Sequence, residues 1–357
     1  MVRYHQEFST EHPVKGQEVQ YRLTMANELS FPITHLAVKF KVVQPGMTSS
    51  LPDLHLYLER FGHYEHTSTI HCPYRGVYTV GLEQLTIHDM LRWITVRRPV
   101  WHRTFYVYPR ILDIRFPFVG SQASEQGAPG NHPGALVDFS LFKGLTGYKH
   151  GEPVRHIAWK KFASLGEPFV KNYESTSQPG MTVYFDLRQV GPPSVTSLET
   201  EDCSVEILVA LVKFLLDRQI PVAVRALGRR RFDFYGAHPS LFHEFDHATS
   251  NLVFQHSFSP VGLYAADQEA NTLANESVLF ITHVLDPDVL TAVRESIGTE
   301  TSVAAIINLT GMDADARLRA RNYMRQIREA GGHLFLVNGP SSIKEDIESW
   351  TRQKSFG

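Results

Sequence analysis

The sequence predicts a multidomain β plus α/β protein: an antiparallel β-sandwich over residues 1–115, a loop and cation-rich segment over 116–178, and a doubly wound, mostly parallel α/β domain over 179–357. Three observations carry this. Apolar–polar alternations of period two recur through the first third, with no helical period of useful length between them. Residues 120–134 are poor in large apolar side chains and cannot build a core, so 116–140 is expected to be an exposed loop. Beyond residue 179, apolar runs of strand length alternate with segments of helical period. That order implies right-handed crossovers and a parallel sheet covered on both faces.

Taken in order, Val19, Tyr21, Leu23 and Met25 alternate with Gln20, Arg22 and Thr24, as a half-buried strand requires. A turn-rich stretch from Asn27 to Pro32 follows. Leu36, Val38, Phe40 and Val42 then alternate with Ala37, Lys39 and Lys41. Leu54, Leu56 and Leu58 repeat the pattern, as do Phe105 and Val107 before Pro109. Several short strands separated by Gly, Pro and Asn turns predict a sandwich.

In the second half, Met181–Phe185 is a short apolar run ending at Asp186. Glu201–Gln219 has helical period, with Val205, Leu208, Val209, Val212, Leu215 and Leu216 on one face. Strands are expected at Pro221–Leu227, Phe232–Tyr235, Ser277–Val284, Val303–Leu309 and His333–Val337, and helices at Pro239–Val253 and Asp315–Ala330. Asp286-Pro287-Asp288 reads as a helix start with Pro in the first turn, and Gly331-Gly332 as a helix stop.

At 357 residues the chain suits two cores better than one. Its charged share of 20% and hydrophobic share of 43% are those of a globular protein without membrane spans, and no run approaches the ~20 apolar residues that cross a bilayer. The start lacks the apolar core of a signal peptide, so the chain as written is expected to be soluble. A net charge of −2 supplies no global field toward nucleic acid or anionic lipid. Cys72 and Cys203 fall in different expected domains, which favours two free thiols in a reducing compartment.

The densest motif runs from Gly147 to Lys161: Tyr148, Gly151-Glu152, Arg155, Ile157, Trp159 and Lys160, then Ala163-Ser164, Gly166-Glu167 and Tyr173-Glu174. Upstream stand Tyr74-Arg75-Gly76-Val77-Tyr78 and Tyr108-Pro109-Arg110. Together these resemble the bacterial domain-of-unknown-function family 58, whose members combine a β-sandwich with a von Willebrand factor A-like domain. Three departures stand out: Glu152 in place of Asp, Ala158 where an acid precedes the Trp, and no Arg after Ala163-Ser164. Trp159 reads most simply as an anchor in an interdomain seam, with Arg155 and Lys160 bonding carbonyls or carboxylates across it.

The resemblance also implies a divalent-metal motif, Asp-x-Ser-x-Ser, after the first strand of the α/β domain. Here the stretch is Asp186-Leu187-Arg188-Gln189-Val190, so Arg188 and Val190 stand at both Ser positions, and His283 is nearest to a further expected Asp. A guanidinium repels a cation and has no lone pair to offer it. The position is therefore read as degenerate, with no metal or other cofactor and with Asp186 paired to a cation, Arg188 or Arg155. Family members usually carry two membrane-spanning helices before the sandwich, absent here. The chain is expected to be either a soluble portion of an anchored protein or a natural soluble form. The implied partner is a MoxR-type AAA+ ATPase, and the implied place the cytoplasm, at the cytoplasmic membrane face.

The resemblance thus implies a non-enzymatic adaptor working with that ATPase, and further motifs are weighed beside this reading. His243-Glu244-Phe245-Asp246-His247 matches H-E-x-x-H, the pattern of a zinc hydrolase, but Asp246 puts a charge between the histidines, the helix is expected on the surface, and neither Glu269 nor Glu276 is a compelling third ligand. His63-Tyr64-Glu65-His66 could offer a weak metal site. Arg317, Arg321, Arg325 and Arg328 form one basic stripe on the last long helix, with Leu318, Met324 and Ile327 opposite: a solvated face or a docking surface for an acidic partner. Arg229-Arg230-Arg231 carries the same ambiguity on a loop rim. Gly144-Leu145-Thr146-Gly147 lacks the Gly-Lys-Ser/Thr of a phosphate loop. An envelope scaffold that works without an ATPase is the third functional reading.

Overall fold

The computed structural model describes residues 2–116 except 46, 50, 90, 92 and 99; residues 142–147 and 169–173; and residues 180–354 except 190, 193, 251, 255–256, 271–276 and 298–301. Alternation builds the first part. Strands β1 (Val2–Phe8), β2 (Glu18–Asn27), β3 (Ile33–Gln44), β4 (Met47–Ser49), β5 (Leu54–Leu58), β6 (His63–His71), β7 (Gly76–His88), β8 (Thr95–Arg98) and β9 (Arg103–Val107) are all antiparallel to their partners. One sheet has the order β1-β2-β6, and the other β4-β3-β7-β8, with β5 also on β3 and β9 on β7. The inward residues Val19, Tyr21, Leu23 and Met25 of β2 meet Leu36, Val38, Phe40 and Val42 of β3 and Tyr78, Val80 and Leu82 of β7 in one core.

Gln6 is the polar exception in that core. Its carbonyl accepts from the Tyr21 hydroxyl (2.6 Å) and the Leu82 amide (3.0 Å), and its amide donates to the Trp101 carbonyl (2.9 Å). Gly81, at φ +144°, lies so close to Gln6 Oε1 that a Cβ there would clash.

A two-stranded antiparallel ribbon follows, β10 (Phe142–Gly147) with β11 (Phe169–Tyr173). Gly144–Gly147 thus lies on a strand. The signature residues Tyr148, Gly151, Glu152, Arg155, Trp159 and Lys160 lie outside the described residues.

The α/β part contains β12 (Met181–Phe185), α1 (Val195–Asp217), β13 (Val222–Leu227), β14 (Arg231–Gly236), α2 (Phe242–Thr249), α3 (Pro260–Glu269), β15 (Ser277–Thr282), α4 (Pro287–Glu295), β16 (Val303–Asn308), α5 (Ala314–Glu329), β17 (His333–Val337) and α6 (Ile343–Lys354). The sheet order is β14-β13-β12-β15-β16-β17, parallel throughout except for the β14 edge. Alternate strand residues feed two cores, so apolar runs such as Ser277–Thr282 and Val303–Asn308 are buried on both faces. Met181, Val183, Phe185, Leu279 and Ile306 pack with α1, α2 and α6. Tyr184, Val278, Phe280, Ala305 and Ile307 pack with α3, α4 and α5.

Several boundaries differ from expectation. The Pro239–Val253 helix is a single 3-10 turn at Pro239–Leu241 followed by the eight-residue α2, and α3 and α6 appear where no helix was expected. The first helix starts at Val195, capped by reciprocal Ser194–Ser197 hydrogen bonds. Leu318, expected on the apolar side of α5, is exposed; Ala320 and Ile327 are buried instead. Among the described residues no helix is long and apolar enough to cross a membrane. Both cysteines are buried and unpaired.

The two parts meet along α1. That helix is buried nearly all round, because the sheet covers one side and sandwich loops cover the other. On the sandwich side it carries Asp202 and Glu206, the latter fully buried. Lys15 Nζ lies 3.2 Å from each carboxylate. Arg110 holds Glu206 with two parallel bonds of 3.0 and 2.8 Å. The Arg75 amide donates to Asp202 (3.2 Å), and its guanidinium donates to the Thr249 and Leu252 carbonyls (3.5 and 3.2 Å) at the C-terminal end of α2. Phe116 continues the join on the apolar side, its ring 5.2 Å from Phe335.

Burial pushes the Asp202 carboxyl up against the pull of Arg75 and Lys15, and pushes the Arg75 guanidinium down. Removing one member leaves its partner charged and dry. Arg75→Ala is expected to lower stability by about 3–5 kcal/mol, read as a drop in urea midpoint. Burial also raises Glu201 from 4.5 to about 7, with Arg75 opposing. The folded state then holds a proton that the unfolded state releases between those values, so this stabilisation is present below about 4.5 and lost as pH rises to about 7. Glu201→Gln should melt above wild type at pH values past that window and match it at the acidic end. A melting difference independent of pH would refute the assignment.

Candidate functional site

The loops after β12 and β15 lie where the strand order reverses direction in the sheet, the place where an open parallel sheet leaves a crevice. Asp186 follows β12 directly, and its amide donates to the Ile281 carbonyl (3.0 Å). Its carboxylate is buried and fully occupied. Oδ1 accepts from the Arg188 amide (2.9 Å) and Nε (3.0 Å), while Oδ2 accepts from Nη2 (2.6 Å) and from the Thr282 hydroxyl (2.7 Å).

Arg188 reaches across the crevice. Its Nη1 donates to Asp286 Oδ2 at 2.7 Å, and the same oxygen accepts from the Ser259 hydroxyl at 2.8 Å. Asp286 is the N-cap of α4, with Oδ1 accepting from the Asp288 amide (2.9 Å), and Ser259 is the N-cap of α3. Burial works against the Asp286 carboxylate, but the bonds from Ser259, the Asp288 amide and Arg188 hold it below the usual range. Beneath them His283 Nε2 donates to the Arg188 carbonyl at 2.8 Å, with its ring edge against Phe254. Burial lowers the His283 pKa, keeping the ring neutral.

One guanidinium thus bridges two carboxylates at the centre of the crevice, with two hydroxyls and a neutral imidazole around it. A divalent cation would need those carboxylate oxygens free, and a fixed positive charge already occupies the space between them. The residues present do not fit a metal there. Beside this centre a shallow groove is lined by Leu227, Phe258, Val261, Gly262 and Asp288.

The other sequence candidates do not converge. His243, Glu244 and His247 lie exposed on α2 while Asp246 points inward, its carboxyl raised to about 6 by burial against the pull of both histidines. Among the described residues no three His, Cys, Asp or Glu side chains gather as a metal site would require. His63 and His66 sit three apart on β6 and so face opposite sides of the sheet. On α5, Arg317 is half-buried and donates to the Met312 carbonyl (3.0 Å), leaving Arg321, Arg325 and Arg328 as the exposed part of the stripe. Arg229 and Arg230 form the β13–β14 turn, and Arg231 pairs with Asp233 at 2.7 Å.

Sequence reasoning singled out Asp186, Arg188 and His283 but missed Ser259 and gave Asp286 only a capping role. The usable signal was the pair Ser259-Pro260 and Asp286-Pro287, two N-caps whose side chains meet beside the same strand ends.

No protein-family model matches this sequence, and no curated protein does. Solved structures with a local likeness include the metal-bound CARDB domain of the PF1109 protein from Pyrococcus furiosus (10% identity, 30% of this chain, 85% of that chain, TM-score 0.23). Another is the putative ApaA protein from Bordetella pertussis (14%, 30%, 92%, 0.22). An alkylpurine DNA glycosylase from Pseudomonas fluorescens gives 12%, 30% of either chain, and 0.23. Likenesses this slight transfer neither fold nor function.

Arg188→Ala strips the charge partner from the buried Asp186. An equilibrium urea titration is expected to show a loss of about 3–5 kcal/mol, partly recovered in Asp186→Asn/Arg188→Ala. A titration matching wild type would mean that the guanidinium does not compensate Asp186.

Proposed function

We propose that this chain is a non-enzymatic interaction module of the family-58 kind, whose α/β part is a von Willebrand factor A-like domain with a metal-independent recognition surface. The observation that carries this is Arg188, which supplies from within the chain the positive charge between Asp186 and Asp286. The supporting frame is the sheet order with its antiparallel β14 edge and three helices on either face. Among the described residues of the crevice, the hydroxyls of Thr282 and Ser259 donate to carboxylates already paired with Arg188, and His283 donates to a backbone carbonyl. That arrangement suits holding a shape rather than moving a proton.

The partner in this reading is a MoxR-type AAA+ ATPase, acting with this chain to assemble or remodel other proteins in the cytoplasm, at the membrane face. Recognition would use the loops at the strand ends and the groove by Phe258, with the exposed arginines of α5 meeting acidic side chains. Immobilised full chain is expected to retain such an ATPase in at least one of its ATP-analogue and ADP states. Arg321→Glu/Arg325→Glu, both at exposed positions, should reduce retention several-fold without changing the melting temperature. Failure to retain it in either state would overturn the partner assignment.

A further inference from the structure

The end of the sandwich remote from α1 carries apolar side chains in water. Strand β7 starts next to Arg75, at the join, and runs thirteen residues to His88, so its far end is roughly 40 Å away. There Asp89 builds a tight turn: its amide donates to the Ile94 carbonyl (3.2 Å), and its carboxylate accepts from the Ile94 and Leu91 amides (2.8 and 3.4 Å). Beside it Leu91, Trp93 and Ile94 are 60%, 83% and 64% exposed.

Two neighbouring loops add to the same end. His35 of β3 pairs with His88, which places the preceding loop and its exposed Phe31 beside the turn. The loop after β5 meets it through the Phe61 amide and the Leu29 carbonyl (3.4 Å), and buried Asn27 donates to the carbonyls of both Phe31 (3.0 Å) and Glu59 (2.8 Å). Phe61 is also exposed and sits at φ +54°, a conformation a bulky residue adopts at a cost.

Charge decides what such an end fits. Residues 89–98 hold Arg92, Arg97 and Arg98 against Asp89 alone, in a chain whose net charge is −2. Asp89's carboxylate is turned onto backbone amides, and Glu28 in the next loop is held by Arg3 at 2.7 Å. Trp, Leu and Ile beside arginines are the composition of elements that settle into the headgroup boundary of an anionic bilayer.

We propose that this end of the sandwich is a lipid-contact site, with Leu91, Trp93, Ile94, Phe31 and Phe61 entering the interface of an anionic bilayer and Arg97 and Arg98 facing its headgroups. The site is independent of the ATPase reading. Full chain is spun with vesicles of phosphatidylcholine plus phosphatidylglycerol, and with vesicles of phosphatidylcholine alone, while tryptophan emission is followed. The expected result is sedimentation with the anionic vesicles, a blue shift, and far weaker partition onto the neutral ones. Leu91→Ser/Trp93→Ser/Ile94→Ser should weaken partition by at least about ten-fold, and Arg97→Ala/Arg98→Ala by about five-fold per arginine. Both variants change exposed or half-exposed positions, so their thermal melts should match wild type. No binding to anionic vesicles, or equal binding by the triple variant, would overturn the proposal. So would lipid-free self-association that the triple variant abolishes, which would assign the tip to a second copy of this chain.

Discussion

The charges of Asp202 and Glu206 inside the molecule constrain everything around them. A helix as apolar as α1 buries without difficulty against the sheet, but two carboxylates on its other side cannot leave water unpaired. Lys15, Arg75 and Arg110 supply the pairing, and they come from separate places along the sandwich: the loop before β2, the residue before β7 and the stretch after β9. One helix therefore gathers one end of the sandwich to itself. Because β7 departs directly from Arg75, the direction of the longest sandwich strand is set from this join.

The same logic operates at the strand ends with one cation instead of three. Asp186 is buried because it follows a central strand, and its neighbour two residues on provides a planar fork that matches a carboxylate. A bound metal would exchange with solution and depend on its supply. A guanidinium tethered two residues away does neither, and it locks the loop that carries it. One guanidinium offsets only one of the two carboxylates it bridges, so the crevice keeps a net negative charge, and its shape and rim residues join that charge in deciding what it meets.

Each carboxylate of the two ion-pair clusters is committed to cations, hydroxyls or amides, and the buried histidine donates to a carbonyl. The exposed side chains proposed for recognition lie elsewhere: Arg321 and Arg325 of α5, and the apolar tip at the far end of β7.

The local pattern of the chain was sufficient for much of the architecture. Period-two runs such as Val19–Met25 and Leu36–Val42 bury the residues their alternation indicates, since a pleated strand has only two faces. The apolar runs at Met181, Ser277 and Val303 form a sheet covered on both sides for the same reason. The Asp186–Arg188 pair was legible because its members are two residues apart. Pro239–Val253 misled, because a helical period persists there while the chain turns after Thr249 and its Leu252 and Arg75 meet instead. Lys15 with Asp202, Arg110 with Glu206, and Arg188 with Asp286 join residues roughly a hundred or more positions apart. No periodicity encodes such meetings. By itself the sequence determined which faces are apolar and where strands and helices alternate; only the tertiary structure decided which buried charges find each other, because that depends on the order in which whole elements pack.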